Sequence, residues 1–415
     1  MVYDVVVIGA GASGLMAAGT AAREGKKVLL IEKMEKAGRK IRISGKGRCN
    51  ITNMRPSEEF LSKVRANREF FAPSFEGFDN EDCFKFFESL GLELEVERGE
   101  RVFPSSGKAW DVANALVDWC EEAGVEMWFN SRVEKIKVLS DFISGVSYIT
   151  KRGFPRNVEC KNVIIATGGV SYPGTGSTGD GYNFAYELGH NIEEIRPALV
   201  PLESTFPGVL AMQGLMLKNV KVKLLIDGEI ASEEFGEMEF TTKGLGGSVI
   251  LRISRKAVDA LIDERRVKIA IDLKPALSEE ILRERIAREL SMLEPSEGME
   301  QLMRKLMPKQ LVSPLAKAIE APFKATVEWF SEENCEKLIA VLKEFVIPVS
   351  DYRPFEEAVV TAGGVDVNDV DANTLQSKLI KGLYFAGEVL DLDADTGGYN
   401  LQIAFSTGVL AGKLL

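Results

Sequence analysis

Tyr3 to Glu32, which read YDVVVIGAGASGLMAAGTAAREGKKVLLIE, decide the fold. The apolar run 5–8 predicts a buried strand, the glycine-rich stretch 9–14 a turn, and the following run to Gly25 a helix. A second apolar run, 28–31, predicts a strand that ends at the acidic Glu32. This order is typical of a dinucleotide-binding βαβ unit, so the expected fold class is α/β with a Rossmann-like domain.

The glycines of this stretch have separate expected roles. Gly9 permits the tight turn, Gly11 lets backbone N–H groups approach a pyrophosphate, and Gly14 lets the helix lie close to the sheet. The helix N-terminus adds the positive end of a dipole, which favours phosphate. An ordinary tight turn in an α/β sheet is the alternative, and the strand, helix and terminal acid around the motif favour the dinucleotide site.

Glu32 indicates which dinucleotide is expected. Its carboxylate can accept hydrogen bonds from the hydroxyl groups of an adenosine ribose, and it would repel a ribose 2′-phosphate. The motif therefore favours FAD or NAD over NADP.

Composition excludes several functional classes. The 415 residues carry a formal net charge of −11, which disfavours nonspecific binding to nucleic acid or to anionic membranes. The five cysteines form no C-x-x-C pair, so we expect a reducing, cytoplasmic setting. We expect neither a signal peptide, since the first strand begins near residue 3, nor a membrane span. The single histidine, His190, argues against a metal site or a hydrolase triad, and we expect it to pack at a helix end.

Residues 38–53, GRKIRISGKGRCNITN, place five cations among three glycines. Such a segment is open to three interpretations: a solvated basic loop, an RNA-binding patch, or a cradle for the phosphates and flavin of a cofactor. The neighbouring phosphate-binding motif and the net negative charge of the chain favour the cradle.

The motif SGKGRCNITN after the N-terminal glycine motif resembles the YhiN-like flavoproteins, which include NAD(P)/FAD-dependent oxidoreductases and aminoacetone-oxidase-type enzymes. ATGG at 166–169 and TGSTGDGY at 175–182 extend the resemblance. It implies an FAD-binding Rossmann-like domain with an inserted β-barrel and helical part. The expected cofactor-binding residues are Gly9, Gly11, Ala12, Ser13, Gly14, Glu32, Lys33, Arg39, Ser44, Gly45, Arg48, Cys49, Asn50, Val133, Ala166, Thr167, Gly168, Gly387, Glu388, Asn400 and Leu401.

A second G-x-G-x-x-G occurs at Gly174, Gly176 and Gly179. No strand runs directly into it, and no strand ending in an acid follows it at the right spacing. We therefore interpret it as a loop that precedes a helix and can line the flavin pocket, and not as a second nucleotide unit.

The expected domains follow from changes in pattern along the chain. Residues 1–195 form the first part of the FAD-binding domain, 196–275 an inserted antiparallel β domain, 276–347 an inserted helical domain, and 348–415 the returning part. In the returning part, a strand ends at Glu388, and Gly397 and Gly398 precede a helix. The free N–H groups of that helix suit the negative charge that reduced flavin carries, so this segment favours FAD.

One element departs from the resembled family. Residues 240–248 align with a family pattern, F-T-H-x-G-x-S-G-P, and Thr242 stands where that pattern has histidine. Threonine cannot titrate, so the family's substrate and proton route are in question for this chain.

The expected function is an FAD-dependent oxidoreductase that transfers hydride through flavin N5 to or from a small organic substrate. The resemblance suggests an activated C=C bond or an amine, with NAD(P)H as a transient electron donor. Cys49 and Tyr399 are the nearest candidate proton donors, although packing or cofactor contact is the favoured role of each. An FAD-containing RNA-modifying or RNA-binding protein is the main alternative, and an NAD-binding module without flavin is another. We expect no nucleic-acid or membrane partner and no metal.

Glu32→Ala is expected to weaken FAD binding because the ribose hydroxyls lose their acceptor. The expected loss is on the order of 1–3 kcal/mol, measured by titrating FAD into the apoprotein. Unchanged affinity would show that the N-terminal motif has been misinterpreted.

Overall fold

The computed structural model describes residues 2–294, 297–322 and 325–415. The chain divides into two compact units. The first, here the nucleotide unit, combines the residues up to Pro197 with Phe355–Leu415, and the second, here the inserted unit, is Ala198–Pro354.

The first segment of the nucleotide unit alternates strands and helices. Its strands are β1 (Val2–Ile8), β2 (Val28–Ile31), β3 (Thr52–Asn53), β4 (Leu94–Glu97), β5 (Arg101–Pro104), β6 (Glu126–Trp128), β7 (Arg132–Leu139), β8 (Phe142–Ile149), β9 (Pro155–Ile165) and β10 (Ile192–Ala198). Its helices are α1 (Ala12–Arg23), α2 (Arg39–Gly47), α3 (Ser57–Leu61), α4 (Arg68–Gly77), α5 (Asn80–Ser89), α6 (Ala109–Glu122) and α7 (Asp180–Glu187).

The inserted unit and the returning segment complete the chain. The inserted strands are β11 (Leu202–Glu203), β12 (Met216–Ile226), β13 (Glu229–Phe240), β14 (Gly244–Gly246), β15 (Val267–Asp272), β16 (Phe345–Val349) and β17 (Asp351–Tyr352). The inserted helices are α8 (Ser248–Ile262), α9 (Glu279–Ser291), α10 (Met299–Leu306), α11 (Lys309–Ala318) and α12 (Glu332–Lys343). The returning segment contributes β18 (Val360–Val365), β19 (Leu383–Phe385) and α13 (Tyr399–Gly412).

The central sheet of the nucleotide unit is parallel where the site forms. Strands β6, β2, β1 and β9 lie side by side in parallel, and β19 adds to β9 from the far end of the sequence. β7 and β8 extend the other part of β9 as an antiparallel hairpin. Val5, Val6 and Val7 are fully buried, which explains the unbroken apolar run, because helices cover both faces of such a sheet.

The register brings the strand ends to one edge. Ile8 pairs with Ile31 and with Ile165, and Phe385 also pairs with Ile165, so four parallel strands end level with one another. The residues that follow these ends include Gly9, Glu32, Thr167 and Glu388. Ligands of open α/β sheets bind at this carboxyl edge.

Small residues hold α13 against α1. A Cβ placed on Gly408 would lie 2.6 Å from the carbonyl oxygen of Ser13, and one on Gly412 would lie 2.6 Å from that of Ala17. The two helices therefore approach backbone to backbone. Because residues 13 and 17 match 408 and 412 in order, the helices run in the same direction.

The inserted unit is built on an antiparallel sheet that curls back on itself. The strand order is β16-β15-β12-β13-β14-β11-β17, and only Ser350 separates the strands at the two ends of this order. The sheet and helices α8 to α12 contribute to one hydrophobic core, which contains Val222 and Ile269 as well as Leu302 and Leu338. The expected subdivision at residues 275/276 therefore marks a change of secondary structure within one unit.

Two expectations differ from the structure. The returning part was expected to begin at residue 348, but β16 and β17 pair with β15 and β11, which keeps the chain in the inserted unit until Pro354. The basic segment beginning at Arg39 was interpreted as a phosphate and flavin cradle with no helix assigned to it, whereas Arg39–Gly47 is helical, with a break at Ser44–Lys46. The break requires positive φ at Gly45 and Lys46. Because glycine at such positions is typical of turns, the sequence pattern does not indicate a helix here.

No helix within the described ranges is both long and apolar enough to cross a membrane. In the same ranges, no group of three or more His, Cys, Asp and Glu side chains is arranged to hold a metal ion. All five cysteines carry free thiols.

His190 is a buried, fully bonded residue of the nucleotide unit. Its Nδ1 lies 3.1 Å from the Ala185 carbonyl oxygen, which can only accept, so Nδ1 carries the proton. Its Nε2 then accepts from the Ser377 hydroxyl at 2.7 Å, and that oxygen in turn accepts from the backbone of Leu379 and Ile380. Burial lowers the pKa of His190 from its ordinary value of 6.5.

Because His190 is the sole histidine, its protonation can be followed directly. We expect NMR of the imidazole to show the neutral Nδ1–H form still populated below pH 6.5. The unfolded chain takes up this proton first as the pH falls, so the contribution to stability is present above pH 6.5 and is lost as the pH falls through the folded-state pKa. A titration midpoint at or above 6.5 would contradict the assignment.

Candidate cofactor site

A pocket with about 1300 Å³ of empty space opens at the carboxyl edge of the parallel sheet. Its walls come from both ends of the nucleotide unit: the β1–α1 turn, the residues after β2, the start of α2, the ends of β9 and β19, and the first turns of α13. The pocket thus joins residues 8–44 to residues 388–404.

The glycine turn has three distinct geometries. Gly9 has φ +101°, and a Cβ there would lie 2.6 Å from the Ala166 carbonyl oxygen. A Cβ on Gly14 would lie 1.9 Å from the Gly9 carbonyl oxygen, so α1 rests directly on the turn. A Cβ on Gly11 would meet no atom within 4 Å, and Gly11 lines the pocket. Gly9 and Gly14 are therefore required by packing, whereas Gly11 leaves open space beside the pocket.

Two helix N-termini border the pocket. Gly11 precedes α1, Gly398 precedes α13, and neither helix has an acidic residue in its first turn. Their unpaired first-turn N–H groups and positive dipole ends favour an anionic ligand.

Glu32 is held by backbone amides at the end of β2. Its Oε2 accepts from Ala10 N at 2.7 Å and its Oε1 accepts from Met34 N at 2.8 Å. Burial raises the pKa of Glu32 above its ordinary value, while these two hydrogen bonds and Lys33 oppose the shift. A carboxylate has about four acceptor positions, so each oxygen keeps capacity for a ribose hydroxyl.

Glu388 forms the centre of a bonded network on the other side of the pocket. Its Oε2 accepts from Lys40 Nζ at 2.7 Å, and its Oε1 accepts from Ser171 Oγ at 2.9 Å and from Thr361 N at 2.7 Å. Burial would raise the pKa of Glu388, but the Lys40 ammonium and these hydrogen bonds hold it below its ordinary value. Lys40 also bonds Ser171, so one of its three donors is left for a ligand.

Most of the predicted cofactor residues line this pocket. They are Gly9, Gly11, Ala12, Ser13, Glu32, Lys33, Arg39, Ser44, Val133, Ala166, Thr167, Gly168, Glu388, Asn400 and Leu401. Asn400 lines it while its amide bonds the backbone of Ala394 and Asp395, which ties the loop before α13 to the helix.

Six predicted residues do not line the pocket: Gly14, Gly45, Arg48, Cys49, Asn50 and Gly387. Gly14 and Gly387 lie behind it, since a Cβ on Gly387 would meet Ser13 Oγ at 2.5 Å. The remaining four lie within the break in α2 or shortly after it. Arg48, for example, stacks on Phe103 and pairs with Glu97 at 2.6 Å.

Several pocket residues were not among those predicted. They include Lys36, Gly38, Lys40, Ser131, Arg132, Val359 and Val360. Thr175, Gly176, Ser177 and Asp180 also line it, and they belong to the second glycine motif, which was interpreted as a segment that can line the flavin pocket. Helical spacing in α2 would have favoured Lys40 together with Ser44, because residues four apart share a helix face. Val359 and Val360 are apolar, so their residue type does not indicate a contact with a cofactor.

Neither candidate proton donor faces the pocket. Cys49 is fully buried, and burial raises its pKa to about 12, so its thiol stays protonated and enclosed. Tyr399 packs its ring edge-on against Phe60 at 4.8 Å, and burial raises its pKa. Thr242 is exposed between β13 and β14 of the inserted unit.

The residues present fit a dinucleotide with a polar middle. Two buried polar atoms of pocket residues, Arg39 Nε and Thr167 Oγ1, have no hydrogen-bond partner within the described part of the chain. Buried polar groups normally have partners, so a ligand with oxygen atoms would complete them. A bound FAD would place phosphates near the α1 N-terminus and the lysine and arginine side chains.

A glycine turn, an acid fixed by backbone amides at the end of β2 and a second helix N-terminus from the far end of the chain meet at one pocket, which is the arrangement of a flavin-dependent enzyme of the Rossmann class. The chain belongs to the family described as HI0933-like protein Rossmann domain, whose model matches residues 3–414. It is an FAD-dependent oxidoreductase, and both the predicted YhiN-like resemblance and the predicted FAD are confirmed.

Several relatives match nearly the whole chain, and two of them are at least 30% identical to it. The 3-dehydro-bile acid delta(4,6)-reductase of Clostridium scindens is 31% identical over 409 residues, covering 98% of this chain and 97% of the relative. The ribosomal RNA dihydrouridine synthase of Escherichia coli is 30% identical and covers 98% and 96%. A solved 3-ketosteroid delta1-dehydrogenase from Sterolibacterium denitrificans aligns with a TM-score of 0.54 at 14% identity over 99% of both chains, which shows a shared fold.

Substitution of Gly11 and Gly14 should separate cofactor binding from folding. Gly14→Ala places a methyl group against the Gly9 carbonyl, so we expect about 1–3 kcal/mol lower apoprotein stability by urea unfolding. Gly11→Ala meets no atom and has an ordinary backbone conformation, so stability should hold while FAD affinity falls by more than about tenfold, since the methyl group enters the phosphate space. Equal effects of both variants on stability would contradict this assignment.

Proposed function

We propose that the chain reduces a C=C bond conjugated to a carbonyl group in a small organic molecule. The observation that carries this proposal is the near-full-length similarity to a protein named as a bile acid reductase. The second relative is named for forming dihydrouridine, a product in which a C=C bond is saturated. These names favour C=C reduction over amine oxidation, the other reaction suggested by the sequence resemblance.

FAD, when bound, supplies two-electron hydride transfer. The chain's own groups hold charge around it: the α1 N-terminus and Lys40 favour the pyrophosphate, and the α13 N-terminus favours negative charge at the other end. Glu388 orients Lys40 through an ion pair whose carboxylate is further fixed by Ser171 and Thr361. In the reaction, the substrate gains a hydride at the carbon β to the carbonyl and a proton at the α carbon.

A nicotinamide donor would have to bind transiently. The second glycine motif is followed by α7 and forms part of the same pocket wall, and it supplies no separate nucleotide unit in the described chain. We infer that NADH or NADPH reduces the enzyme from the substrate side and leaves before the substrate binds.

Reduction of a uridine in ribosomal RNA is the second candidate, favoured by the Escherichia coli relative at 30% identity. The charges favour the small molecule. The chain has a net charge of −11, and three of the five cations of the basic segment already pair with carboxylates: Arg39 with Glu35, Lys40 with Glu388 and Arg48 with Glu97. Cations that are already paired with carboxylates neutralise fewer RNA phosphates, so fewer of the counterions condensed on the RNA are released and the gain in affinity is smaller.

An anaerobic turnover experiment tests the proposal. NADH or NADPH should bleach the flavin absorbance band at roughly 450 nm, and a steroid enone such as a 3-oxo-Δ4 bile acid should restore it. The reaction should consume one nicotinamide per enone reduced. The saturated ketone is the matched control and should leave the band bleached.

The same assay separates the alternatives. An amine that bleaches the oxidised enzyme, with no response to enones, would overturn C=C reduction. Re-oxidation by a uridine-containing ribosomal RNA fragment, with salt-sensitive binding, would favour the second candidate over the first.

A further inference from the structure

The second glycine motif lies in a segment that forms one wall of the cofactor pocket. We call residues 172–180 the strap. Thr175, Gly176, Ser177 and Asp180 of the strap line the pocket. The facing wall is the stretch after β2, where Glu32, Lys33, Lys36 and Arg39 line the same pocket.

Three attachments in succession join the strap to the facing wall. Lys33 Nζ donates to Asp180 Oδ2 at 2.8 Å and to the hydroxyl of Thr178. Arg39 Nη2 donates to the Gly174 carbonyl oxygen at 3.0 Å.

Between the Arg39 attachment at Gly174 and the Lys33 attachments at Thr178 and Asp180, the strap and the facing wall pack closely. A Cβ on Gly176 would lie 2.9 Å from Met34 Cγ, so glycine is needed for the segments to meet.

The strap has little regular structure to hold it in place. Pro173–Thr175 is a single 3-10 turn whose backbone bonds are local. Its ends are tied by Tyr172 N to the Phe355 carbonyl oxygen and by Gly179 N to the Gly169 carbonyl oxygen. Its middle is therefore held chiefly by side chains of the facing wall.

We propose that the Lys33–Asp180 ion pair is a latch that holds the strap across the adenosine half of the pocket and sets the rate of FAD exchange. Glu32 precedes Lys33 and is the expected acceptor for the ribose hydroxyls, so the latch lies next to the adenosine end of the pocket. The pair is only partly exposed, at 21% for Lys33 and 14% for Asp180, so water weakens it less than a surface pair. In this proposal FAD passes between the two walls, and the latch opens each time it does.

The latch predicts that both the association and the dissociation of FAD are limited by the ion pair, whereas an ordinary contact to FAD would affect dissociation alone. Lys33→Met and Asp180→Asn should each raise both the association and the dissociation rate constants of FAD by at least about tenfold, because charge-assisted hydrogen bonds are lost. The dissociation constant should change less than either rate. Both variants remove the Lys33–Asp180 pair, so their effects on FAD exchange should combine to less than their product in the double variant. Each also removes one contact of its own, the bond to Thr178 in Lys33→Met and the 3.7 Å pair with Arg132 in Asp180→Asn.

Stopped-flow flavin fluorescence on the full chain measures both rates. Lys161→Met is the matched control, because Lys161 Nζ lies at the same 2.8 Å from Asp4 Oδ1, away from the pocket lining. It should leave FAD exchange unchanged. Raising the salt concentration should speed exchange in the natural chain and have less effect in Lys33→Met, which keeps the test valid even if one variant folds poorly.

Two results would overturn the latch. Unchanged rates in both variants would show that the strap does not limit exchange. Faster dissociation with unchanged association would show that Lys33 and Asp180 are ordinary FAD contacts and not a barrier.

Discussion

The close approach of backbone segments around α1 is the constraint on which the nucleotide unit depends. Gly14 lets the helix rest on the Gly9 carbonyl, and Gly408 and Gly412 let α13 lie against the other side of α1. A methyl group at any of these positions would separate elements that must touch. The shared packing places the first turns of two helices on one pocket, although the helices come from opposite ends of the sequence.

Two carboxylates that line the pocket have hydrogen-bond partners before any cofactor binds. Glu32 is satisfied by two backbone amides, and Glu388 by Lys40, Ser171 and Thr361. Partnered carboxylates keep their geometry in a partly buried site, where an unpaired charge would be costly. Each retains acceptor capacity, so a dinucleotide adds bonds to an existing framework.

Local sequence predicted the parts of the fold that rest on local rules. The periodicity of apolar residues, the positions of glycines and the residue types predict the βαβ unit, the helices of the inserted unit and the packing of His190. The structure shows each of these. The kinked helix α2 escaped prediction because its glycines resemble a loop. The continuation of the inserted sheet to Tyr352 escaped prediction because strand partners distant in sequence decide it. The ion pairs of Lys40 with Glu388 and of Asp180 with Lys33 join residues that are distant in sequence, so no local pattern reveals these pairings.

The split origin of the pocket also dictates when the cofactor can be acquired during protein synthesis. Roughly 350 residues separate Glu32 from Glu388, and at about 5–20 residues per second their synthesis takes roughly 20–70 s on the ribosome. Throughout that interval the βαβ unit lacks α13, and the apolar face of α1 that Gly408 and Gly412 later cover stays open. This face therefore stays uncovered until α13 has been made, and the lining of the pocket is complete only after residue 404 has left the ribosome.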